Sequence, residues 1–274
     1  MTTGATPTVA YMGPPGTFSH LAVRSLFPSN RTLECPTITD VIERVARREA
    51  ELGVVPVENS TEGGVTATLD GLLESSLFIC GEIVVDVSLC LVARGADRSR
   101  FRRVASHPQP LAQCRRWLAR ELPGVALFPT PSTTAAAREA VLDETTAAVT
   151  SRLAAELENL VVVAADIQDR PENATRFAVI GETDAAPTGS DKTSLVFSTP
   201  HERGALRRVL GVFDDAAINL TRIESRPAPG KRWEYVFFTD IEGHRADPNV
   251  AEALRTLAGL GGVVRVLGSY PRTV

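Results

Sequence analysis

The stretch DRPENATRFAVI, residues 169–180, joins a polar turn to an apolar run. A proline-containing turn that leads into a β-like run predicts a strand, with Asn173, Thr175 and Arg176 at its mouth. Their amide, hydroxyl and guanidinium groups are suited to holding a carboxylate. The plainer interpretation is that Asn173 closes the turn, Thr175 fills a strand position and Arg176 is solvated. On this stretch alone the plainer interpretation is favoured. A choice of the carboxylate site over it needs support from motifs elsewhere in the chain.

Upstream of this stretch, apolar runs typical of strands alternate with apolar residues at helical spacing. The predicted strands cover residues 9–12, 52–57, 83–92, 104–105, 147–149 and 160–164. This alternation is typical of α/β proteins with mostly parallel sheets. Because the strand-to-helix turns of such folds gather at the carboxyl edge of the sheet, ligands are expected to bind there.

Several of these turns carry serine or threonine just before a helix. The hydroxyl residues are Thr17, Ser19, Ser60, Thr61, Ser106, Ser132, Thr133 and Ser151. Each one by itself is best explained as a helix cap. A helix start also exposes unpaired N–H groups and a partial positive charge, so several converging starts form an anion site. Their repetition, in a region without lysine, predicts a small carboxylate ligand held by dipoles and hydroxyls.

Composition narrows the class of protein. The chain has 274 residues, of which 43% are hydrophobic and 23% charged, as in an ordinary globular protein with room for two domains. Its net charge is −4 and its sequence pI is about 5.7. This balance offers no general attraction for nucleic acid or for an anionic membrane, so neither is expected as a partner.

Cysteine usage and the N-terminus predict the compartment. Cys35, Cys80, Cys90 and Cys114 are scattered, without a C-x-x-C pair or a nearby histidine at ligand spacing. Neither a disulfide framework nor a metal site is expected, and reduced thiols are the default. Residues 1–8 lack the basic and apolar regions of a signal peptide, and no apolar run reaches membrane-spanning length. A cytoplasmic protein is therefore predicted.

After residue 182 the order of predicted elements changes. Residues 183–190 have the composition of a linker. Strand 193–197, helix 205–216, strands 220–225 and 235–238, helix 250–257 and strand 263–266 follow. This βαββαβ order is typical of a ferredoxin-like α+β module. The predicted division is a first region at 1–182, the linker at 183–190 and the module at 191–274.

Taken together and in order, the motifs resemble the prephenate dehydratase family over nearly the whole chain. The catalytic motifs are GPPGTFS at 13–19, VPVENS at 55–60, SHPQPLAQC at 106–114, STTAAA at 132–137 and NATRF at 173–177. The C-terminal module resembles the family's ACT domain through GAL at 204–206, NL at 219–220 and ESRP at 224–227. One motif alone would be weak, but the ordered set is specific.

The resemblance implies a fold and a reaction. The catalytic region is expected to have two αβα lobes like a type II periplasmic binding protein, with the active site in the cleft and a ferredoxin-like ACT domain behind it. The implied activity is the decarboxylating dehydration of prephenate to phenylpyruvate, in phenylalanine biosynthesis, without cofactor or metal. A fused chorismate mutase, present in some relatives, is not expected because the first strand begins at Val9.

The resemblance also implies roles for residues of the cleft. Thr175 is the expected catalytic residue, hydrogen bonded to the leaving hydroxyl. His107 is left as structural, since the reaction removes no carbon-bound proton. The expected substrate contacts are Thr17, Ser19, Asn59, Ser60, Thr61, Ser106, Gln109, Ser132, Thr133, Asn173, Arg176 and Phe177. For Arg176 a structural role stays open, because arginine beside a catalytic residue is often a strut.

For the ACT module the resemblance implies feedback inhibition by L-phenylalanine. A homo-oligomer joined through the ACT domains, a dimer or a dimer of dimers, is expected. The expected effector-binding residues are Gly204, Ala205, Leu206, Asn219, Leu220, Glu224, Ser225 and Arg226. The plainer interpretation is a dimerisation domain without a ligand.

Three alternative functions stay open at this point, one of them a binding protein regulated through the ACT module. Arogenate dehydratase would run the same chemistry on the amino-acid analogue of prephenate. A non-catalytic carboxylate-binding or sensor protein of the same bilobed fold would bind its ligand without turnover.

Overall fold

The computed structural model describes residues 6–228 and 234–273. Residues 1–5 of the polar N-terminal segment therefore lie outside the described part. In chain order, the two lobes consist of β1 (Val9–Met12), α1 (Phe18–Leu26), β2 (Thr32–Cys35), α2 (Ile38–Ala46), β3 (Leu52–Asn59), β4 (Gly63–Gly64), α3 (Thr66–Glu74), β5 (Phe78–Asp86), β6 (Cys90–Ala93), a 3₁₀ turn (Arg98–Arg100), β7 (Arg103–Ser106), α4 (Pro108–Gln113), α5 (Arg115–Glu121), β8 (Ala126–Pro129), α6 (Thr133–Leu142), β9 (Thr146–Thr150), α7 (Arg152–Leu157), β10 (Val161–Ala164) and β11 (Ala174–Gly181). The C-terminal module consists of β12 (Asp191–Ser198), α8 (Ala205–Asp215), β13 (Leu220–Pro227), β14 (Tyr235–Glu242), α9 (Pro248–Ala258) and β15 (Val264–Pro271).

The first lobe is built on a sheet of order β2-β1-β3-β11-β5, with β4 beside β3. Strand β1 pairs in parallel with β2 and β3, whereas β11 runs antiparallel between β3 and β5. The chain thus leaves this lobe after β5 and returns to it in β11. That return puts Thr175 on a central strand, flanked by main-chain hydrogen bonds on both sides.

The second lobe has the sheet order β10-β6-β9-β7-β8. Strand β7 is parallel to β8 and β9, whereas β6 runs antiparallel to both of its neighbours, β9 and β10. The prediction of mostly parallel sheets was wrong in this respect. Both sheets are mixed because each takes in strands of the two segments that cross between the lobes, and such crossings leave no mark in the local sequence.

One predicted strand, residues 83–92, is two strands in different lobes. It divides at residues 87–89, where the chain crosses from β5 in the first lobe to β6 in the second. Val85 packs in the core of the first lobe, whereas Val87 and Leu89 pack in the core of the second. Buried Val85, Val87 and Leu89 alternate with the polar residues Asp86 and Ser88 through the crossing, so the alternating pattern of a strand showed no break.

The C-terminal module has the predicted βαββαβ order, with an antiparallel sheet β13-β14-β12-β15. One face of this sheet is covered by α8 and α9. The other face packs on the first lobe, where Val196, Phe238 and Tyr270 share a core with Ile79 and Ile180. The module is therefore joined to the lobe that carries β3 and β11.

Within the described residues, no helix combines the length and apolar character needed to cross a membrane.

Candidate active site between the lobes

Strand β11 divides its side chains between two faces, since consecutive residues of a strand point to opposite sides. Thr175 and Phe177 lie on one face, where Phe177 packs against Tyr11 and its neighbours. Arg176 and Ala178 lie on the other face, where Ala178 belongs to the core shared with the C-terminal module. Within one short motif, Thr175 is directed to the cleft and Arg176 away from it.

A cleft of about 520 Å³ lies between the lobes and is lined by residues of both. Eight of the predicted site residues line it: Thr17, Ser19, Asn59, Gln109, Ser132, Thr133, Thr175 and Phe177. They come from five separate segments of the chain. The fold therefore gathers most of the predicted set in one cavity, although their roles stay predictions.

At the base of this cleft Thr175 is paired with Asn59, its register partner on β3. Asn59 Nδ2 donates to Thr175 Oγ1 at 3.0 Å and to Asn173 Oδ1 at 2.9 Å. Asn59 Oδ1 in turn accepts from the hydroxyl and the N–H of Thr61 at 2.6 and 3.0 Å. Because Thr175 Oγ1 accepts from an amide, its own proton is available to a ligand.

Helix starts from both lobes open on the cleft, among them those of α1 and α6. Thr17 Oγ1 accepts from His20 N at the start of α1, and Ser132 Oγ accepts from Ala135 N at the start of α6. The partial positive charge of each helix start favours an anion. Among the described residues that line the cleft there is neither lysine nor arginine. The arrangement is suited to a carboxylate held by dipoles and hydroxyls.

His20 stabilises the turn that precedes α1. Its ring stacks on Tyr11 at 5.1 Å between centroids, and its Nδ1 accepts from Gly16 N at 3.0 Å. Burial lowers the pKa of His20, and the nearby Arg24 lowers it further. A neutral imidazole is the form that can accept from Gly16, so the turn around Thr17 depends on an unprotonated histidine.

Two family models match the chain. The family model for prephenate dehydratase matches residues 9–185, and the model for the ACT domain matches residues 193–259. The chain belongs to the prephenate dehydratase family. The bilobed α/β region followed by a ferredoxin-like ACT domain, as expected from the resemblance, is confirmed.

Three similar proteins illustrate the family and its relatives. A bifunctional chorismate mutase/prephenate dehydratase from Aquifex aeolicus is 46% identical over 97% of this chain and 74% of its own length. The structure of prephenate dehydratase from Arthrobacter aurescens in complex with L-Phe is 38% identical, with a TM-score of 0.89 over 97% of this chain and 90% of that chain. A structure described as a novel type of quorum quenching acylase is 33% identical, with a TM-score of 0.88 over 97% of this chain and 98% of that chain.

Some expected substrate contacts of this prephenate dehydratase family member lie outside the cleft. Ser106 is buried, and its hydroxyl donates to Val149 O at 2.6 Å. Ser60 Oγ donates to Glu172 O at 3.1 Å and accepts from Ala174 N at 3.0 Å, so it ties two loops together. Both hydroxyls are engaged with the main chain, which explains why they face away from the cavity.

A second opening, of about 700 Å³, adjoins the cleft and shares Gln109 and Gln113 with it. The predicted residues Thr61 and Asn173 line this opening rather than the cleft itself. It is also lined by Arg116 and Arg170, which are not among the site residues predicted from the sequence. Neither arginine stands in a pattern that distinguishes it from other surface arginines, so only their shared position beside the cleft reveals them.

Arg176, one of the expected substrate contacts, does not line the cleft. Its guanidinium is only 14% exposed and binds Glu58 at 3.1 Å, Glu82 at 3.2 Å and Asp240 at 2.8 Å. Burial opposes its charge, but Asp240, then Tyr270, Glu82 and Glu58, outweigh that effect and raise its pKa. Strand alternation is the physical reason: the residue after Thr175 cannot share its face.

In the ACT domain, the motif at 204–206 stands at the start of α8. Gly204, Ala205 and Leu206 line a pocket of about 250 Å³ together with Tyr235 and Phe237. Gly204 has a φ of 82°, a conformation that glycine adopts without a steric penalty. Asn219 and Leu220, at the start of β13, are not among the residues that line this pocket.

The ESRP motif faces in a different direction from the Gly204 pocket. Arg226 Nη1 donates to Thr66 Oγ1 at 3.0 Å, and its Nη2 lies 3.0 Å from Asp70 Oδ1, both on α3 of the first lobe. Glu224 pairs with Arg222. Ser225, the residue between them, is exposed. Alternation along β13 directs Glu224 and Arg226 towards the catalytic region, so the structure does not bring them to the pocket at 204–206.

Proposed function

We propose that this chain converts prephenate to phenylpyruvate, CO₂ and water at the cleft between the lobes, with Thr175 as the group that acts on the leaving hydroxyl. The observation that carries the proposal is the pair Asn59 Nδ2–Thr175 Oγ1, 3.0 Å apart, in a cavity lined by helix starts from both lobes. Membership of the prephenate dehydratase family supports the reaction class.

The reaction moves negative charge from one end of the substrate to the other. The bond between the ring and its carboxylate breaks to release CO₂, its electron pair enters the ring, and the bond to the ring hydroxyl breaks. The ring becomes aromatic, which supplies the driving force. The departing hydroxide gains a proton and leaves as water. The enzyme must therefore place a dianion and stabilise charge as it develops on the leaving oxygen.

The described lining of the cleft fits this shift of charge. A lysine or arginine on the departing carboxylate would stabilise the substrate more than the transition state, because that carboxylate loses its charge as CO₂ forms. The starts of α1 and α6 offer weaker, dipolar stabilisation. Thr175, held by Asn59, offers a hydrogen bond at the position where charge appears. Since a threonine hydroxyl is a very weak acid, its role is positioned hydrogen-bond donation more than independent acid catalysis.

A direct assay tests the activity. Purified protein is mixed with prephenate at neutral pH and phenylpyruvate is followed against the spontaneous rate. Turnover by the native chain is expected. Thr175→Ala is expected to lower kcat by about 10² to 10³-fold, whereas Thr175→Ser, which keeps a hydroxyl, should retain most of it. A native rate equal to the spontaneous one would contradict the proposal, and near-native turnover by Thr175→Ala would show that another residue acts.

Two other substrates serve as comparisons in the same assay. Arogenate presents the same ring chemistry, so its turnover relative to prephenate measures specificity. An N-acyl amide tests the acylase description of the similar structure. Amide hydrolysis needs a nucleophile paired with a base, and Thr175 Oγ1 is paired instead with the Asn59 amide, which cannot take its proton. No amide hydrolysis is expected. A purely ligand-binding sensor is not favoured, because the relatives are named as enzymes.

L-Phenylalanine is the proposed effector, bound at the start of α8. The pocket at residues 204–206 combines a helix start, which suits the carboxylate of the effector, with Phe237, which suits its aromatic ring. The complex with L-Phe solved for the similar protein from Arthrobacter aurescens supports L-phenylalanine as the ligand. Inhibition of prephenate turnover by L-phenylalanine is expected, and unchanged activity at saturating effector would reduce the ACT domain to a structural role.

The proposed assembly is a homo-oligomer, a dimer or a dimer of dimers, joined through the ACT domains. Mass measured by light scattering during size-exclusion chromatography tests it, with a single-chain mass as the contradicting result. A cytoplasmic location is also proposed. Its support is that Cys35, Cys80, Cys90 and Cys114 are all free thiols, as is usual in reducing compartments. Cell fractionation tests this assignment.

A further inference from the structure

Arg176 forms a charged cluster with Glu58, Glu82 and Asp240 on the face of β11 opposite to the cleft. We propose that Arg176 is a positioning residue for Thr175 and Asn59, and that Asp240 makes this positioning depend on the ACT domain. The inference rests on the proposed function, since it concerns how the cleft residues are held.

The Thr175–Asn59 pair and the Arg176–Glu58 ion pair lie on opposite faces of the same two strands, β11 and β3. Thr175 pairs with Asn59 in the register of β11 and β3, and Arg176 pairs with Glu58. On the cleft face, Asn59 Nδ2 donates to Thr175 Oγ1 at 3.0 Å. On the reverse face, Arg176 Nη2 lies 3.1 Å from Glu58 Oε2. A shift between the two strands at this position changes both contacts together.

The main-chain ladder is interrupted at this very place. Arg176 pairs with Glu58, but the next residue, Phe177, pairs with Pro56, so Val57 is an extra residue in β3. Such a bulge weakens the ladder locally and re-aims the side chains beside it. Pro56 has no N–H to donate. Beside the hydrogen bonds of Asn59 to Asn173 and Thr61, side-chain contacts on the reverse face therefore contribute to its orientation relative to Thr175.

Those contacts come from the ACT domain as well as from the first lobe. Asp240 on β14 binds Arg176 Nη2 at 2.8 Å. Lys192 on β12 binds Glu82 at 2.8 Å, and Glu82 also binds Arg176. Arg222 on β13 lies 3.4 Å from Glu58. Three strands of the ACT sheet thus hold the carboxylates that hold Arg176.

Asp240 is itself fixed by the centre of the ACT sheet. Its Oδ1 accepts from Ser194 Oγ at 2.5 Å, and Ser194 Oγ lies 2.7 Å from the hydroxyl of Tyr270. Asp240 is 5% exposed and Glu82 is 2% exposed, so water contributes little to their solvation. Arg222 also pairs with Glu224 of the ESRP motif. A rearrangement of β14 would therefore change the Asp240–Arg176 contact, and a rearrangement of β13 would change the contact of Arg222 with Glu58.

A simple interface role would give a different result from a positioning role. Arg245 provides the matched control: its Nε binds Asp184 at 2.8 Å and its guanidinium lies over the Phe78 ring, so it too joins the ACT domain to the first lobe. The contacts of Arg245 do not involve β3 or β11. Arg245→Gln should therefore lower the melting temperature while leaving kcat within about twofold of native.

The experiment compares full-length variants in prephenate turnover, with and without L-phenylalanine. Arg176→Gln is expected to lower kcat by about tenfold or more with KM changed less than about threefold, and Arg176→Lys should recover part of the loss. Asp240→Asn is expected to reduce inhibition by saturating L-phenylalanine at least about threefold, while calorimetry shows that the effector still binds. Arg176→Lys provides the folded comparison if Arg176→Gln does not fold.

The results that overturn the inference are specific. Native-like kcat in both Arg176 variants removes the positioning role, and unchanged inhibition in Asp240→Asn removes the link to the ACT domain. Turnover by the native chain tests the proposed function separately, since only the ratio of variant to native tests this inference. If the native chain does not turn over prephenate, the Asn59 side-chain amide signal in NMR spectra replaces kcat. That signal should shift in the Arg176 variants and not in Arg245→Gln, and an unshifted signal overturns the inference.

Discussion

Thr175 and Arg176 are consecutive residues of β11, yet one lines the cleft between the lobes and the other is enclosed by carboxylates at the ACT interface. The two side chains share a main chain and differ only in the face of the strand. The motif at 173–177 therefore contributes both to the cleft and to the interface with the ACT domain. Substitutions in and around it should separate effects on chemistry from effects on stability.

Asn59 offers the sharpest test of the cleft pair. Asn59→Asp keeps the shape but replaces the amide donor with an acceptor, so the Thr175 hydroxyl would donate to the new carboxylate instead of to the substrate. Asn59→Ala removes the contact altogether. Both variants are expected to lower kcat by about 10²-fold. Steady-state kinetics with circular dichroism as a folding control checks this, and native kcat in Asn59→Asp would contradict the pairing.

Ser106 should prove structural. Its buried hydroxyl donates to Val149 O at 2.6 Å, and the loss of one such hydrogen bond costs about 1 kcal/mol of unfolding free energy. Ser106→Ala is therefore expected to unfold at lower denaturant concentration with kcat within about twofold of native. A large loss of kcat without loss of stability would return Ser106 to the set of substrate contacts.

His20 predicts how stability responds to pH. Its pKa is lowered in the folded state, by burial first and then by Arg24. As the pH falls below the ordinary value of 6.5, the unfolded chain takes up a proton that the folded chain resists, so stability falls with pH. His20→Asn keeps an acceptor for Gly16 N but does not titrate. The melting temperature of the native chain should drop more than that of the variant between about pH 7.5 and about pH 5.5; equal drops would contradict the assignment.

Gly268 marks a close approach of the ACT domain to the first lobe. A Cβ at this position would overlap the carbonyl group of Ile79 on β5. Gly268→Ala is expected to cost about 1–3 kcal/mol of unfolding free energy, because backbone must move to admit a methyl group. Gly211→Ala is the matched control: it lies within α8 with open space around it, and should stabilise by up to about 1 kcal/mol. Denaturant unfolding measures the free energy of unfolding of both variants. An unchanged value for Gly268→Ala would show that the interface can move to admit the methyl group.

Much of the fold followed from local patterns. Alternating strand and helix signals predicted an α/β architecture, the change of order after residue 182 predicted a separate α+β module, and the hydroxyl residues before helices predicted an anion site. The division into two lobes was expected only from the family resemblance. These features are readable because caps, turns and periodicity act between residues close in sequence. The division of 83–92 between two sheets was not readable, since a buried crossing keeps the same hydrophobic pattern as a buried strand.

The sequence by itself determined the family, the reaction class and eight of the residues that line the cleft, including Thr175, Asn59, Ser132 and Thr133. Only the tertiary structure decided that Arg176 belongs to the ACT interface, because its partners Glu58, Glu82 and Asp240 are remote along the chain. The same holds for Arg226 and its partner Asp70. An arginine in a motif has the same local chemistry whether it binds a substrate carboxylate or a protein carboxylate, and the packing of one sheet on another decides between them.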